Sequence, residues 1–175
     1  MTSYRRMVCD DLFKFNNINL DPLTETFNIG FYLQYLVAWP NLSVVAEAPD
    51  GKLMGYVIGK VEGTSTDFHG HVTALAVAPE YRRLGLGESL MHILEDSSER
   101  VDAYFVDLFV RVSNVVAINM YKKLCYVVYQ RVLDYYSGIS PEDAFDMRKA
   151  LPRDKEKKSE IPRGRDVYPY ELQHF

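Results

Sequence analysis

The segment from His71 to Gly87 constrains this chain more than any other. A β-prone run, His71 to Ala78, leads into Arg82-Arg83-Leu84-Gly85-Leu86-Gly87, and a helical pattern begins at once. A strand that passes through a glycine loop into a helix is the arrangement that brings backbone N–H groups onto phosphate oxygens, and the helix N-terminus adds positive partial charge. Gly85 and Gly87 carry no Cβ to obstruct a ligand, while Arg82 and Arg83 add countercharge. Such a loop suits a ligand that bears a diphosphate.

Two familiar phosphate loops fail against these residues. A Walker A loop needs Gly, four residues and then Gly-Lys-Ser/Thr, a string found nowhere in the sequence. A dinucleotide fingerprint needs three glycines and a following acidic residue, whereas only two glycines stand here, behind arginines. The spacing Arg-x-x-Gly-x-Gly instead resembles the pyrophosphate loop of the GNAT superfamily of acetyl-coenzyme A-dependent N-acyltransferases. An arginine-rich turn capping a helix is the plain structural alternative.

The rest of the chain supplies an α/β context. Arg5 to Val8 reads as a short strand. Asp10 is a plausible N-cap for a first helix bearing Leu12, Phe13, Phe15 and Ile18. A second helix, about 30–39, carries Phe31, Tyr32, Tyr35, Leu36 and Trp39 and stops at Pro40. Ser43 to Ala48 and Leu53 to Lys60 flank Pro49-Asp50-Gly51-Lys52, a strong hairpin signal. Alternation along the strand places His71, Thr73, Leu75 and Val77 on one face and a smaller alanine-rich set on the other. Leu86, Leu90, Ile93 and Leu94 form a core stripe after the glycine loop. Strands are expected at 103–111, 126–136 and 143–149, with a helix from Ser113 or Asn114 to Leu124.

Composition limits the remaining possibilities. At 175 residues and 47% hydrophobic content the chain fits one domain with a sizeable core. A net charge of −4 argues against a surface devoted to nucleic acid. Apolar runs are too short to cross a bilayer, and no basic-then-apolar leader opens the sequence. Cys9 and Cys125 have neither metal-ligand spacing nor disulfide density, so a soluble, reducing compartment is the default and no metal is expected. Beyond Pro152 the apolar pattern fades into mixed charge. The expected division is a catalytic domain, 1–151, and a charged, poorly ordered tail, 152–175.

A second constellation narrows the ligand. Asn114, Ala117 and Tyr121 are three and four residues apart, on one helical face. Asn114 offers hydrogen bonds to amide groups, Ala117 leaves room for a ligand arm, and Tyr121 presents an O–H one turn deeper. A core-facing tyrosine is the structural alternative for Tyr121 taken alone.

Taken together, the order of hairpin, strand, Arg-x-x-Gly-x-Gly loop, helix, strand and Asn-x-x-Ala-x-x-x-Tyr helix resembles the GNAT fold. That fold is α/β, a mixed twisted sheet of about six to seven strands flanked by about four helices. More closely, Asp21-Pro22-Leu23-Thr24-Glu25-Thr26-Phe27, His71-Val72-Thr73-Ala74-Leu75, Val106 to Asn114, Asn119-Met120-Tyr121-Lys122 and Tyr135-Tyr136 resemble the catalytic subunits of N-terminal acetyltransferase B, over about residues 8–151. Cys125, where that family usually has Gly, a short loop from Gly63 to Phe68 and the tail beyond Ile161 depart from the pattern. Cys125 is expected to strain the helix exit, because a non-glycine residue is disfavoured in the left-handed region.

The resemblance implies transfer of acetyl from acetyl-coenzyme A to the α-amine of nascent polypeptides beginning Met-Asp, Met-Glu, Met-Asn or Met-Gln. It assigns the cofactor to Leu75, Ala76, Val77, Arg82, Arg83, Gly85, Leu86, Gly87, Asn114, Ala117 and Tyr121. A backbone N–H near Leu75 or Ala76 is expected to meet the oxyanion, and Tyr121 the departing thiolate. Glu25 and Phe27 are expected to meet the initiator methionine or its amine, and Tyr135 and Tyr136 the peptide backbone. Adjacent residues on a regular strand point opposite ways, which would leave only one of that tyrosine pair in place. Two roles stay open for His71: contact, with Thr73, to the second residue, or membership of a proton relay. The implied partners are a large helical-repeat auxiliary subunit and, through it, the ribosome, in the cytoplasm. Phe13, Phe31, Tyr32, Tyr35 and Trp39 would be divided between core and that subunit. A GNAT enzyme acting on lysine or a small amine, and a non-catalytic binding module, are the rival readings.

Overall fold

The computed structural model describes residues 1–22 and 24–172; Leu23 of the early motif and the last three residues of the expected tail lie outside the described residues. The elements run β1 (Ser3–Arg6), α1 (Ile29–Ala38), β2 (Ser43–Glu47), β3 (Leu53–Glu62), β4 (His69–Val77), α2 (Leu86–Arg100), β5 (Phe105–Arg111), α3 (Val115–Lys123), β6 (Val127–Tyr136) and β7 (Glu142–Ala150). The strands form one mixed sheet in the order β1-β2-β3-β4-β5-β7-β6. Two compact units are distinguished: residues 1–60 with 72–97, and residues 61–71 with 98–175. Among the described residues, no helix is long and apolar enough to cross a membrane.

In the first unit the β2–β3 hairpin forms at the Asp-Gly signal. Gly51 takes φ +85°, and the Asp50 carboxylate accepts the Lys52 N–H at 2.9 Å. The expected helix after Asp10 is a correction: only a short 3-10 turn, Cys9–Phe13, forms there. Asp11 rather than Asp10 organises it, accepting the Val8 N–H at 2.8 Å and both arms of the Arg5 guanidinium. Leu12, Phe15 and Ile18 still reach the core through successive turns, whereas Phe13 stays exposed. Three α-helices therefore stand among the described residues, one fewer than expected. Helix α1 begins at Asn28, whose side chain accepts the Phe31 N–H at 2.9 Å, and Pro40 follows its end. Phe27, Phe31, Tyr35 and Trp39, four residues apart, make a ladder of ring contacts at 4.2, 4.8 and 5.1 Å. Each such contact contributes about 0.5–1.5 kcal/mol beyond the area it buries.

In the second unit β7 is the hub, antiparallel to both β5 and β6. Phe105, Val106, Leu108 and Val110 are all buried, as a strand covered on both faces requires. Buried among them is Asp107. Helix α3 is capped by Asn114 and leaves through Cys125, at φ +73°. There Tyr126 donates its N–H to the Tyr121 carbonyl at 3.0 Å and Cys125 to that of Lys122 at 3.0 Å, a left-handed helix exit of the kind usually given to glycine.

The expectation of a poorly ordered tail is also corrected for the described residues. Val167 is fully buried with Val132 and Ala144, and Leu172 packs against that cluster. Val167 also exchanges backbone hydrogen bonds with β6: its N–H donates to the Arg131 carbonyl at 3.0 Å, and its own carbonyl accepts from Leu133 at 2.8 Å. Two apolar residues spaced along a charged segment suffice to anchor it, which average composition conceals.

Candidate active site

Within the first unit, β4 ends at Val77, and Pro79–Tyr81 turns the chain into the arginine-glycine loop. Arg83 takes φ +64° and Gly85 φ +77°. A Cβ placed on Gly85 meets nothing within 4 Å, so space lies open beside the loop. The Ser89 N–H donates to the Gly85 carbonyl at 3.0 Å, which starts α2 there. The N–H groups of Leu86, Gly87 and Glu88 thus occupy the first turn, where a helix supplies no acceptors of its own. Backbone donors at a helix N-terminus, open space and two arginines together fit a diphosphate.

Two of the loop residues have commitments that spacing did not reveal. The Leu86 side chain is buried with Ala46 and Met54, which leaves its backbone for a ligand. The Arg82 guanidinium donates to Asp21 at 2.8 Å and to the Val77 carbonyl at 3.3 Å, so an anion at Arg82 shares it with Asp21. Ala76 is buried, and Leu75 and Val77 are half-buried. A Cβ on Gly55 would lie 2.8 Å from the Ala76 carbonyl, so glycine is needed there for β3 to approach that close.

The same unit holds Glu25, Phe27 and Thr73. Glu25 is half-buried on the loop before α1. Phe27 stacks on Phe31, and its N–H donates to the Tyr32 hydroxyl at 3.1 Å. The Thr73 hydroxyl donates to that of Tyr35 at 2.9 Å. A groove of about 390 Å³ opens beside Phe15, Asn19, Leu20, Phe27 and Tyr32.

The second unit holds the other candidates. His71 Nδ1 lies 2.7 Å from the Asp107 carboxylate. Its ring is 5.6 Å from that of Phe109, which stacks on Tyr135 at 4.7 Å; Tyr135 meets Tyr136 edge-on at 5.0 Å. Both tyrosines thus join one cluster, contrary to simple strand alternation. The pairing of β6 slips between Val132 and Tyr136, and Asp134 stands at φ +50°, so the bulge re-aims one ring. Arg111 covers Tyr136 at 4.0 Å.

Helix α3 carries Asn114, Ala117 and Tyr121. The Asn114 side-chain oxygen accepts the Ala117 N–H at 3.2 Å, leaving its amide nitrogen as the group for a ligand carbonyl. Tyr121 is buried, and burial lifts its pKa to about 12 with no hydrogen bond contributing to the shift. At neutral pH it keeps its proton, as a donor to a departing thiolate must.

Sequence reasoning missed Asp107, His69 and Glu62, which form a chain with His71 that is buried at Asp107 and His69 and half-buried at Glu62 and His71. His69 Nε2 lies 3.4 Å from Asp107 and 3.3 Å from Glu62. The available signal was an acid inside the apolar run Phe105 to Val110, since a lone carboxylate is seldom buried without a partner.

Residues 12–125 match the Acetyltransferase (GNAT) family. The chain belongs to that family and is an acetyltransferase. It is 65% identical over 170 residues to N-alpha-acetyltransferase 20 of Dictyostelium discoideum, with 97% of each chain covered. It is 58% identical to the N-terminal acetyltransferase B complex catalytic subunit NAA20 of Arabidopsis thaliana, with 99% of each covered. The crystal structure of Chaetomium thermophilum Naa20 with a bisubstrate analogue superposes with a TM-score of 0.92, at 42% identity, covering 98% of this chain and 100% of that one.

Proposed function

We propose that this chain is the catalytic subunit of an N-terminal acetyltransferase B complex, transferring acetyl from acetyl-coenzyme A to polypeptides that begin Met-Asp, Met-Glu, Met-Asn or Met-Gln. The observation that carries the reading is the likeness, over 99% of the chain, to a named catalytic subunit of that complex. The partner is the large helical-repeat auxiliary subunit, with the ribosome reached through it in the cytoplasm. Phe13, Leu20, Ile29 and Val37 are exposed apolar side chains and suit such a contact, whereas Tyr32 and Tyr35 belong to the core.

The chemistry follows from the residues. The α-amine, with an ordinary pKa near 8, is partly neutral at physiological pH and needs little help to attack. Its lone pair forms the N–C bond at the thioester carbonyl, and a backbone N–H near Leu75 or Ala76 donates to the oxyanion. The C–S bond then breaks, the electron pair goes to sulfur, and the Tyr121 hydroxyl gives sulfur a proton. The amine's surplus proton passes to solvent, from which Tyr121 is reprotonated. The loop at Arg82, Gly85 and Gly87 holds the diphosphate, and Asn114 meets an amide of the pantetheine arm. His71 and Thr73 line the second residue, whose carboxylate or amide offers an acceptor oxygen in all four substrates; with the Thr73 hydrogen given to Tyr35, His71 is the donor to that oxygen. Glu25 and Phe27 meet the initiator methionine, and Tyr135 and Tyr136 the peptide backbone.

A peptide panel tests this, with coenzyme A release measured for the chain with its auxiliary subunit. Met-Asp, Met-Glu, Met-Asn and Met-Gln peptides are expected to be acetylated, and Ser- and Met-Leu peptides little. Equal rates across the panel refute the substrate assignment.

A further inference from the structure

His71 is held by a buried assembly that the proposed chemistry does not itself use. Asp107 Oδ1 accepts from His71 Nδ1 at 2.7 Å. The other oxygen, Oδ2, faces Nε2 of His69 at 3.4 Å, and Glu62 lies behind at 3.3 Å from the same nitrogen. His69 Nδ1 donates to the Asp67 carbonyl at 2.5 Å, and its ring stacks on Phe105 at 4.6 Å. Around this pair stand Phe109, also from β5, and Arg148 and Asp146 from β7, whose charges act on Asp107.

An ionised carboxylate only accepts hydrogen bonds, so the 2.7 Å contact keeps a proton on Nδ1. Nε2 is then the ring nitrogen left for another partner. With one proton held on Nδ1, Nε2 donates only when the ring carries a second proton, and Nε2–H is then a charged donor. Burial works to raise the Asp107 carboxyl, but the charges of His71, His69 and Arg148 outweigh it and hold it below its ordinary value.

We propose that Asp107 is a positioning residue for substrate selection, fixing His71 so that its Nε2–H meets the oxygen of the peptide's second side chain as a charge-assisted donor. The proposal rests on the reading of His71 given above. His69 and Glu62 complete the device: a cation on the far side of Asp107 steadies its negative charge, and Glu62 balances that cation. A second-residue carboxylate then gains an ion pair that an amide does not. Met-Asp and Met-Glu peptides are bound in preference to Met-Asn and Met-Gln, although all four offer an acceptor oxygen.

Asp107→Asn keeps the shape and a hydrogen bond to Nδ1–H while removing the charge. In the complex with the auxiliary subunit, KM for Met-Asp peptides is expected to rise about tenfold relative to Met-Asn peptides, the difference between charge-assisted and neutral hydrogen bonds. The change falls on KM rather than kcat, and the KM ratio of His71→Gln shifts no further when Asp107→Asn is added. If His71→Gln changes that ratio and Asp107→Asn does not, Asp107 has no positioning role, although the reading of His71 stands. If His71→Gln leaves the ratio unchanged, the reading of His71 itself fails. Nitrogen-15 NMR of the wild-type full chain bound to a Met-Asp peptide reads both ring nitrogens without any variant. A His71 ring protonated on both Nδ1 and Nε2 in that complex supports the proposal, and an unprotonated Nε2 or Nδ1 overturns it.

Discussion

Raising the pH from about 6 to about 10 is expected to cost this fold about 3 kcal/mol through a single side chain, His69. Its imidazole is 8% exposed, with Nε2 3.3 Å from Glu62 and 3.4 Å from Asp107. Burial disfavours the charged ring. The hydrogen bond to Glu62, the charge of Asp107 and the Asp67 carbonyl outweigh that penalty and carry the pKa from 6.5 to about 9. The folded chain therefore holds this proton after the unfolded chain has released it. The stabilisation is full below about pH 6.5, declines from there to about 9, and is absent above. At about 1.4 kcal/mol for each pH unit the gap amounts to about 3 kcal/mol. With a urea dependence of about 2 kcal/mol per molar for a chain of this size, the midpoint should fall by about 1.5 M across that window. Urea unfolding of the full chain and of His69→Gln, at matched pH values, isolates the effect, because lysine, tyrosine and cysteine titrations cancel between them. The wild type should lose its advantage as pH rises through 9. Parallel curves, or an advantage that grows with pH, would refute the assignment of charge to His69.

Tyr121→Phe is expected to lower kcat by about a hundredfold or more with acetyl-coenzyme A affinity and melting temperature nearly unchanged, since no hydrogen bond of the folded chain contributes to the Tyr121 pKa shift. Steady-state kinetics, calorimetric titration and thermal melting check this, and an unchanged kcat removes Tyr121 from the chemistry. Val167→Ala is expected to destabilise the chain by about 2 kcal/mol, as truncation at a fully buried site does. In a solvated tail the same change would stay within about 0.5 kcal/mol, so denaturant unfolding separates the two.

Much of the candidate site was legible because its chemistry is local. The loop at Arg82 to Gly87 must turn sharply and then open a helix, and Gly85 at φ +77° is what that turn demands. Asn114 declares itself as a cap three residues before the N–H it accepts, and Asp50-Gly51 declares its hairpin. Where a competing contact lay far along the chain, local reasoning failed. Arg5 captures Asp11 and leaves a 3-10 turn where apolar spacing suggested a helix. The β6 bulge brings Tyr135 and Tyr136 into one cluster, against the two-residue period of a strand.

By itself the sequence determined the glycine loop that suits a diphosphate, the order of the elements from α1 onward and the helix that carries Tyr121, because loops, caps and periodic faces are written in residues that are neighbours along the chain. Tertiary structure alone decided what surrounds His71. Asp107 is 36 residues away from it, and no spacing rule connects the two. The same holds for Thr73 and Tyr35, 38 residues apart, and for the docking of Val167 on β6. Such pairings form only when folding excludes water and a buried polar group must find a partner among whatever strands the sheet brings beside it.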